Sequence, residues 1–217
     1  EIMPSLVGSE MCIRDSYDLV LRVTEQIPAD HIYHIDKVLY HWRTIPGSTA
    51  SSGEAKSYIY DSGVKALTDA LNRRGIKGTV RPGLISGFYE VTYDVVQEEL
   101  VSVIIPTKNG YDDLKLCVDS IIEKTSYPNY EIIIADNGST DPKMQELFAE
   151  YKKQLHERFI VELIDIPFNY SRINNLAAEK ASGKYLLFLN NDTEVIEPNW
   201  MTTMVSYAQF DRIGCVG

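Results

Sequence analysis

The chain has 217 residues, of which 44% are hydrophobic and 24% are charged, as expected for a soluble globular protein of one or two domains. Its 21 basic and 31 acidic residues give a net charge of −10, and no stripe of lysine or arginine is present, which argues against a nucleic-acid or anionic-membrane surface. The longest apolar runs are far shorter than the roughly 20 residues that span a bilayer, so we predict no transmembrane segment. Cys12, Cys117 and Cys215 lie in no metal-ligand spacing and favour a reducing compartment, the cytoplasm or the inner face of the plasma membrane.

Residues 1–16 read EIMPSLVGSEMCIRDS and have neither the layout of a signal peptide nor a clear structural period. The stretch SLVGSEMCIRDS resembles the translated read-through of a sequencing adaptor, and a natural terminus is the alternative. We therefore exclude residues 1–16 from the fold prediction and expect the chain to be a fragment of a longer protein.

The first segment, residues 17–98, ends at a weak seam near Glu98, where charged residues precede a strongly apolar run. Apolar periodicity predicts a helix, a short strand and a second helix in turn, over residues 17–25, 35–42 and 52–74. The second helix has arginines in its last turn and a stop at Gly75. Glycines and Pro82 then predict a β-hairpin that runs to Tyr93.

The second segment, residues 99–217, alternates strands and helices, which is the pattern of a parallel, doubly wound α/β sheet with helices on both faces. The predicted strands are short apolar runs: VSVIIP at 101, YEIIIAD at 130, FIVELIDI at 159, KYLLFLN at 184 and the start of RIGCVG at 212. The predicted helices lie between them, over residues 111–124, 142–155, 171–182 and 198–207. Asp141 before Pro142 is a favourable helix start, because the carboxylate caps free N–H groups and proline has no N–H to leave unpaired.

Polar residues follow the predicted strands at the carboxyl edge of the sheet, where ligands bind in folds of this type. These residues are 106–110, 136–140, 169 and 190–192. Each has a simpler interpretation when taken alone, since Asn137-Gly138 is a common turn dipeptide and residues 190–192 can feed a helix cap. Their meeting at one sheet edge favours a binding site.

Three motifs carry a family resemblance: VSVIIPTKNG, EIIIADNGSTD and FNYSRINNLAAEKASGKYLLFLNNDTEV. In this order and spacing they resemble the donor half of a glycosyltransferase family 2 domain, over residues 100–217. The resemblance implies a GT-A-like (Rossmann-like) fold with a mostly parallel sheet, truncated at Gly217. It also implies a set of residues that bind the donor nucleotide: Pro106, Thr107, Asn109, Asp136, Asn137, Asn175, Asn190 and Asn191.

Asp192 falls where the family has its Asp-x-Asp-like motif, so the resemblance makes it the ligand of Mg²⁺ or Mn²⁺, although Asn190 replaces the more usual first aspartate. A divalent cation suits the implied reaction, because it neutralises the charge that grows on the departing nucleotide diphosphate. Hard oxygen ligands suit both metals, and phosphates and waters complete the coordination shell. The same resemblance places Asp136 against the nucleotide base.

The first segment resembles the acceptor-side tail of an upstream domain in tandem bacterial glycosyltransferases, through YDLVLRVTE, HIDKVLYHWRTIPGSTA and ALNRRG. In the family the general base comes after the strand that would begin at Arg212, so we assign no catalytic residue and expect residues 1–217 alone to be inactive. The resemblance implies an inverting hexosyl- or rhamnosyltransferase of bacterial surface polysaccharide or cell wall synthesis. Its implied partners are a UDP- or dTDP-linked sugar donor and a saccharide or lipid-linked acceptor.

Two other classes of protein stay open on the sequence. A nicotinamide-dependent oxidoreductase would share the alternating pattern, but PTKNGYDD stands after the first strand, where Gly-x-Gly-x-x-Gly is expected. A non-catalytic magnesium-binding module of flavodoxin-like type would also use carboxylates at strand ends.

Overall fold

The structure is a computed structural model that describes residues 13–41, 58–85 and 88–217, and the chain divides into two compact units between Asp94 and Val95. The predicted seam near Glu98 lies a few residues after this division. Most of residues 1–16, which we interpret as adaptor-derived, lie outside the described residues. None of the helices in the described ranges has both the length and the apolar character of a bilayer-spanning segment. The assignment of the two segments to two transferase domains stays a prediction.

The first unit contains two helices and an antiparallel hairpin: α1 (Ile13–Gln26), α2 (Tyr58–Arg73), β1 (Gly78–Pro82) and β2 (Tyr89–Tyr93). The predicted helices and hairpin are confirmed, although residues 52–57 of the second predicted helix lie outside the described residues. Gly75 follows α2 with a φ of +65°, a conformation that ends helices and that glycine adopts without strain. Arg73 donates two hydrogen bonds to the Glu25 carboxylate, at 2.7 and 3.1 Å, and this contact lowers the pKa of Glu25.

The strand predicted over residues 35–42 is wrong for its described part, residues 35–41, which contain no strand. The N–H of Lys37 donates to the carbonyl oxygen of Ile35 at 2.8 Å, and a bond across two residues bends the backbone there. Trp42 lies outside the described residues. A segment whose side chains favour a strand forms one only where a neighbouring segment supplies backbone hydrogen bonds. No described strand pairs with residues 35–41.

The second unit is built on a parallel sheet with the strand order β5-β4-β3-β6. Its strands are β3 (Val101–Thr107), β4 (Tyr130–Asp136), β5 (Phe159–Leu163) and β6 (Tyr185–Phe188). Its helices are α3 (Tyr111–Lys124), α4 (Pro142–Leu155), α5 (Tyr170–Ala178) and α6 (Trp200–Ala208). Each of these elements was predicted, with α5 ending earlier than expected, and together they confirm the α/β class.

The strand predicted to begin at Arg212 is wrong, because residues 212–217 form no strand. The N–H of Ile213 donates to the carbonyl oxygen of Phe210 at 2.8 Å, so a turn follows α6 where the prediction had extended backbone. In the described sheet, β6 is therefore the edge strand on the side opposite β5.

Side chains of the central strands alternate between two apolar cores, one on each face of the sheet. One core joins side chains of α3, α4 and α6 to Val103, Ile105, Ile132 and Ile134. The other joins Ile173 and Ala177 of α5 to Ile104, Ile133 and Ala135. Helices therefore cover both faces, as predicted, and the carboxyl edge of the strands is left for the loops that carry polar residues.

Candidate functional site

The loops that follow β3, β4 and β6 carry most of the predicted site residues, and hydrogen bonds join these loops to one another. The hydroxyl of Thr107, at the end of β3, donates to the carbonyl oxygen of Asn109 at 3.1 Å and accepts from the side-chain amide of Asn191 at 3.3 Å. The N–H of Asn109 donates to Ser139 Oγ at 2.8 Å. The three loops therefore meet at one edge of the sheet, while their contact with a nucleotide stays a prediction.

Asn109 connects the loop after β3 to the start of α4. It has a φ of +56° and the next residue, Gly110, a φ of +67°, a left-handed conformation that asparagine and glycine adopt more readily than other residues. Asn109 Oδ1 accepts from the N–H groups of Thr140 and Asp141, at 2.9 and 3.0 Å. The side-chain oxygen of Asn109 is thus bound inside the protein.

Asp136, at the end of β4, is 3% exposed, and its described side-chain hydrogen bonds fall on one carboxylate oxygen. This oxygen, Oδ1, accepts from the N–H and the hydroxyl of Ser139, at 2.9 and 2.5 Å. The next side chain, Asn137, donates from its amide to the carbonyl oxygens of Ile164 and Ile166, at 2.7 and 2.8 Å. Asn137 therefore holds the segment after β5 and uses both its amide hydrogens within the protein.

Helix α3 holds the loop that carries Asp192. Cys117 Sγ lies 3.6 Å from the carbonyl oxygen of Asn190, and burial raises the pKa of the Cys117 thiol. One turn further on, Ser120 Oγ donates to the carbonyl oxygen of Cys117 at 2.8 Å and accepts from the N–H of Val195 at 3.0 Å. The Asp192 loop is therefore tied to α3 on both sides of the aspartate.

Replacing Ser120 by alanine is expected to lower the free energy of unfolding by about 1–2 kcal/mol, because the buried N–H of Val195 loses its acceptor. Chemical denaturation followed by circular dichroism measures this change. Ser171→Ala, at an exposed position of α5, is the control and should change stability by less than about 0.5 kcal/mol. Equal losses in the two variants would contradict the role of Ser120.

Three of the predicted site residues are exposed to solvent: Asn190 and Asp192 in the loop after β6, and Asn175 within α5. Asn190 Oδ1 accepts a long hydrogen bond, 3.4 Å, from the hydroxyl of Tyr170 at the start of α5. Pro106, in contrast, is half-buried within β3, where it pairs in register with β4. The exposed amides and the carboxylate are therefore the groups that a ligand reaches most easily.

The Asp192 carboxylate makes no ion pair or hydrogen bond with the rest of the described chain, so its oxygens are free to bind a cation. No group of three or more His, Cys, Asp or Glu side chains that could hold a metal ion occurs among the described residues. The described residues therefore offer no closed cage for a metal alone, and a hard cation at Asp192 would need further oxygen ligands such as those of phosphates. The metal role of Asp192 stays a prediction.

Sequence reasoning gave no role to Ser139, Tyr170 or Asn174. Asn174 is 4% exposed, its Nδ2 donates to the carbonyl oxygen of Tyr170 at 2.9 Å, and its Oδ1 is buried without a partner. The sequence could have indicated the burial of Asn174, because this polar residue lies on the same face of α5 as the buried residues Ile173 and Ala177. Ser139 lies in the polar run 136–140 that the sequence had already marked, but its contact with Asn109, 30 positions away, carried no signal. Tyr170 carried none either, because its partner Asn190 is 20 positions away.

Comparison with known proteins identifies the class. Residues 102–217, more than half of the chain, match the family described as Glycosyl transferase family 2, and the chain belongs to this family. It is 40% identical over 203 residues to the protein y4gI of Sinorhizobium fredii, covering 93% of this chain and 22% of that protein. It is 41% identical over 202 residues to the O-antigen biosynthesis protein RfbC of Myxococcus xanthus, covering 93% of this chain and 15% of that protein. The chain thus spans less than a quarter of either relative.

Two solved structures show lower similarity. The mannosyltransferase PcManGT from Pyrobaculum calidifontis, in complex with GDP-Man and Mn²⁺, aligns at a TM-score of 0.48 with 20% identity, over 56% of this chain and 35% of that one. GalNAc-T7 with UDP, GalNAc and Mn²⁺ aligns at a TM-score of 0.49 with 26% identity, over 60% of this chain and 25% of that one. Membership of the family, together with the parallel sheet and its helices, confirms the GT-A-type fold and decides against the oxidoreductase and the flavodoxin-like module.

Proposed function

We propose that the second unit binds the nucleotide diphosphate of a sugar donor at the carboxyl edge of its sheet, together with Mg²⁺ or Mn²⁺. The observation that carries this proposal is the meeting of the loops after β3, β4 and β6, with the exposed carboxylate of Asp192 on the last of them. The family supports the donor class, since its members are glycosyl transferases.

The residues at this edge have different tasks in the proposal. Asp136 directs Oδ1 to Ser139, which leaves Oδ2 to accept an N–H group of the nucleotide base. Uracil and thymine each offer one ring N–H between two carbonyls, which suits a UDP- or dTDP-linked donor. Asn175 and Asn190 present exposed amides to the ribose and the diphosphate. The less exposed residues Pro106, Thr107, Asn137 and Asn191 form the floor of the site, and Asn109 lies behind them, bound to the loop after β4.

When bound, Mg²⁺ or Mn²⁺ would neutralise the charge that develops on the diphosphate leaving group. Asp192 would hold the cation, and Cys117 and Ser120 of α3 keep its loop in place. Because Asp192 is a single carboxylate, it holds a divalent cation well only when diphosphate oxygens fill further positions of the shell.

For the whole protein we propose transfer of a hexosyl or rhamnosyl group to an acceptor hydroxyl with inversion at the sugar C1. A carboxylate base, which we assign to no residue of this chain, takes the hydroxyl proton as the oxygen displaces the nucleotide diphosphate. The relative RfbC is named for O-antigen biosynthesis, which supports a saccharide or lipid-linked acceptor and a role in bacterial surface polysaccharide synthesis, in the cytoplasm or at the inner face of the plasma membrane.

Calorimetric titration of the chain with UDP, dTDP and NAD, each with and without Mn²⁺, tests the proposal. We expect one of the nucleoside diphosphates to bind at least about tenfold more tightly when Mn²⁺ is present, because the cation bridges Asp192 and the diphosphate. Mn²⁺ alone is expected to bind weakly. Binding of NAD, or Mn²⁺ binding that nucleotides leave unchanged, would overturn the proposal.

A further inference from the structure

We infer that Asn109 and Ser139 are positioning residues, which act on the nucleotide through Asp136 and do not touch it themselves. The inference rests on the proposed function, in which Asp136 receives the nucleotide base. Its evidence is a chain of hydrogen bonds that runs from the loop after β3 into the loop after β4 and ends on the Asp136 carboxylate.

Ser139 relays the position of one loop to the other. The main-chain N–H of Asn109 donates to Ser139 Oγ at 2.8 Å, and the Ser139 hydroxyl donates in turn to Asp136 Oδ1 at 2.5 Å. The N–H of Ser139 reaches the same oxygen at 2.9 Å. Donors therefore occupy one oxygen of the carboxylate and fix its plane, so the direction in which Oδ2 can accept a hydrogen bond is set by Ser139.

The Asn109 side chain holds the same loop at its far end. Its Oδ1 accepts from the N–H groups of Thr140 and Asp141, which fills both acceptor positions of that oxygen. Asp141 in turn caps α4, since its side chain accepts from the N–H of Lys143 at 3.0 Å. The whole loop between Asp136 and α4 is therefore held by groups of Asn109.

Two replacements of Asn109 separate its possible contributions. Asn109→Gly removes the side chain but keeps a residue that adopts the observed φ of +56° without strain. Asn109→Asp keeps an oxygen acceptor for Thr140 and Asp141 and loses the Nδ2 donor. A positioning role through Oδ1 therefore predicts that the aspartate variant behaves like the wild type, while a ligand contact through Nδ2 predicts that both variants fail together.

Amide hydrogen exchange of the ligand-free chain tests the structural part of the inference. In Asn109→Gly, we expect the N–H groups of Thr140 and Asp141 to exchange about tenfold faster or more, because they lose their acceptor. In Asn109→Asp, their exchange should stay within about threefold of the wild type. Unchanged exchange in Asn109→Gly would overturn the inference without affecting the proposed function.

Titrations with Mn²⁺ present test the effect on the ligand. For the nucleoside diphosphate that the wild type binds best, UDP or dTDP, we expect Asn109→Gly and Ser139→Ala each to weaken binding about tenfold, and Asn109→Asp to stay within about threefold. Inorganic pyrophosphate has no base, so its binding should change by less than about twofold in Ser139→Ala. If Ser139 only stabilised the fold, Ser139→Ala would weaken the binding of the nucleotide and of pyrophosphate by the same factor.

The outcomes distinguish the two proposals. If the wild type binds neither UDP nor dTDP, the proposed function fails, and with it the part of the inference that concerns the nucleotide. If the wild type binds one of them, Asn109→Asp loses as much affinity for it as Asn109→Gly, and neither amide exchange nor pyrophosphate binding changes in Asn109→Asp, then Asn109 touches the nucleotide and the positioning role is overturned. Unchanged pyrophosphate binding shows that the added negative charge is not the cause.

Discussion

Replacing Asp192 by asparagine is expected to weaken Mn²⁺-dependent binding of a nucleoside diphosphate about 100-fold, or about 2.8 kcal/mol, because a neutral amide cannot balance the charge of the cation. The side chain of Asp192 is exposed and its described surroundings offer it no hydrogen bond, so stability should change by less than about 0.5 kcal/mol. Titration with UDP and dTDP at a fixed Mn²⁺ concentration measures the loss, and a thermal melt checks the fold.

Glu194 offers a matched control for Asp192. It is an exposed carboxylate of the same loop, but Lys124 contacts it at 2.6 Å, so it already has a cationic partner. Glu194→Gln is expected to leave the Mn²⁺-dependent affinity for the nucleoside diphosphate within about twofold of the wild type. The fold should also be kept, since an exposed ion pair contributes little to stability. An equal loss in both variants would mean that the net charge of the loop, and not a ligand at 192, governs binding.

The elements of the second unit could be predicted because local and tertiary preferences agree there. β3 and β4 are apolar along most of their length, as central parallel strands covered on both faces must be. The start of α4 was also predictable, because Asp141 caps the helix by accepting from the N–H of Lys143 and Pro142 needs no acceptor.

The two wrong strands share a physical cause. Residues 35–41 include Ile35, Val38 and Tyr40, and residues 212–217 include Ile213 and Val216, all of types that favour strands. A strand forms, however, only when a neighbour pairs with its backbone. In both places the backbone makes a local bond instead, from Lys37 to Ile35 and from Ile213 to Phe210. A pattern of side chains does not show whether a partner strand lies alongside, so the sequence could not decide these two cases.

The place of the candidate site could be predicted from the sequence. Which of its side chains bond within the protein, and which stay exposed to a ligand, could not. The rule that parallel strands end at one edge predicts that residues 107, 136 and 192 lie close together. Which side chains are bound inside the protein depends on partners far along the chain, since Asn109 meets Asp141, which is 32 positions away, and Asn137 meets Ile164, which is 27 away. Such pairings follow from loop geometry that residue types alone do not specify.

Gly183→Ala is expected to destabilise the second unit by about 3 kcal/mol, because a side chain at this position collides with fixed backbone. A Cβ at residue 183 would lie 2.5 Å from Ser102 Oγ, 2.7 Å from Ser102 N and 2.8 Å from Leu100 O. The surroundings cannot yield easily, since Ser102 Oγ accepts from the N–H of Gly183 at 2.8 Å and donates to the buried Glu131 carboxylate at 2.6 Å. That carboxylate also accepts from the N–H of Ser182 at 2.8 Å, so the collision disturbs the whole connection between α5 and β6.

Trp200, at the start of α6, provides a probe for this loss, because its Nε1–H donates to Thr125 Oγ1 at 3.1 Å within the second unit. The chain has two tryptophans, so a Trp42→Phe background leaves the fluorescence of Trp200 alone to report unfolding by urea. Gly214→Ala is the matched control, since a Cβ there would meet no atom within 4 Å, and it should change stability by less than about 0.5 kcal/mol. Similar urea midpoints of unfolding for Gly183→Ala and Gly214→Ala would show that residue 183 tolerates a side chain. The close approach of the backbone at residue 183 to Leu100 and Ser102 would then not be needed for the pairing of β6 with β3.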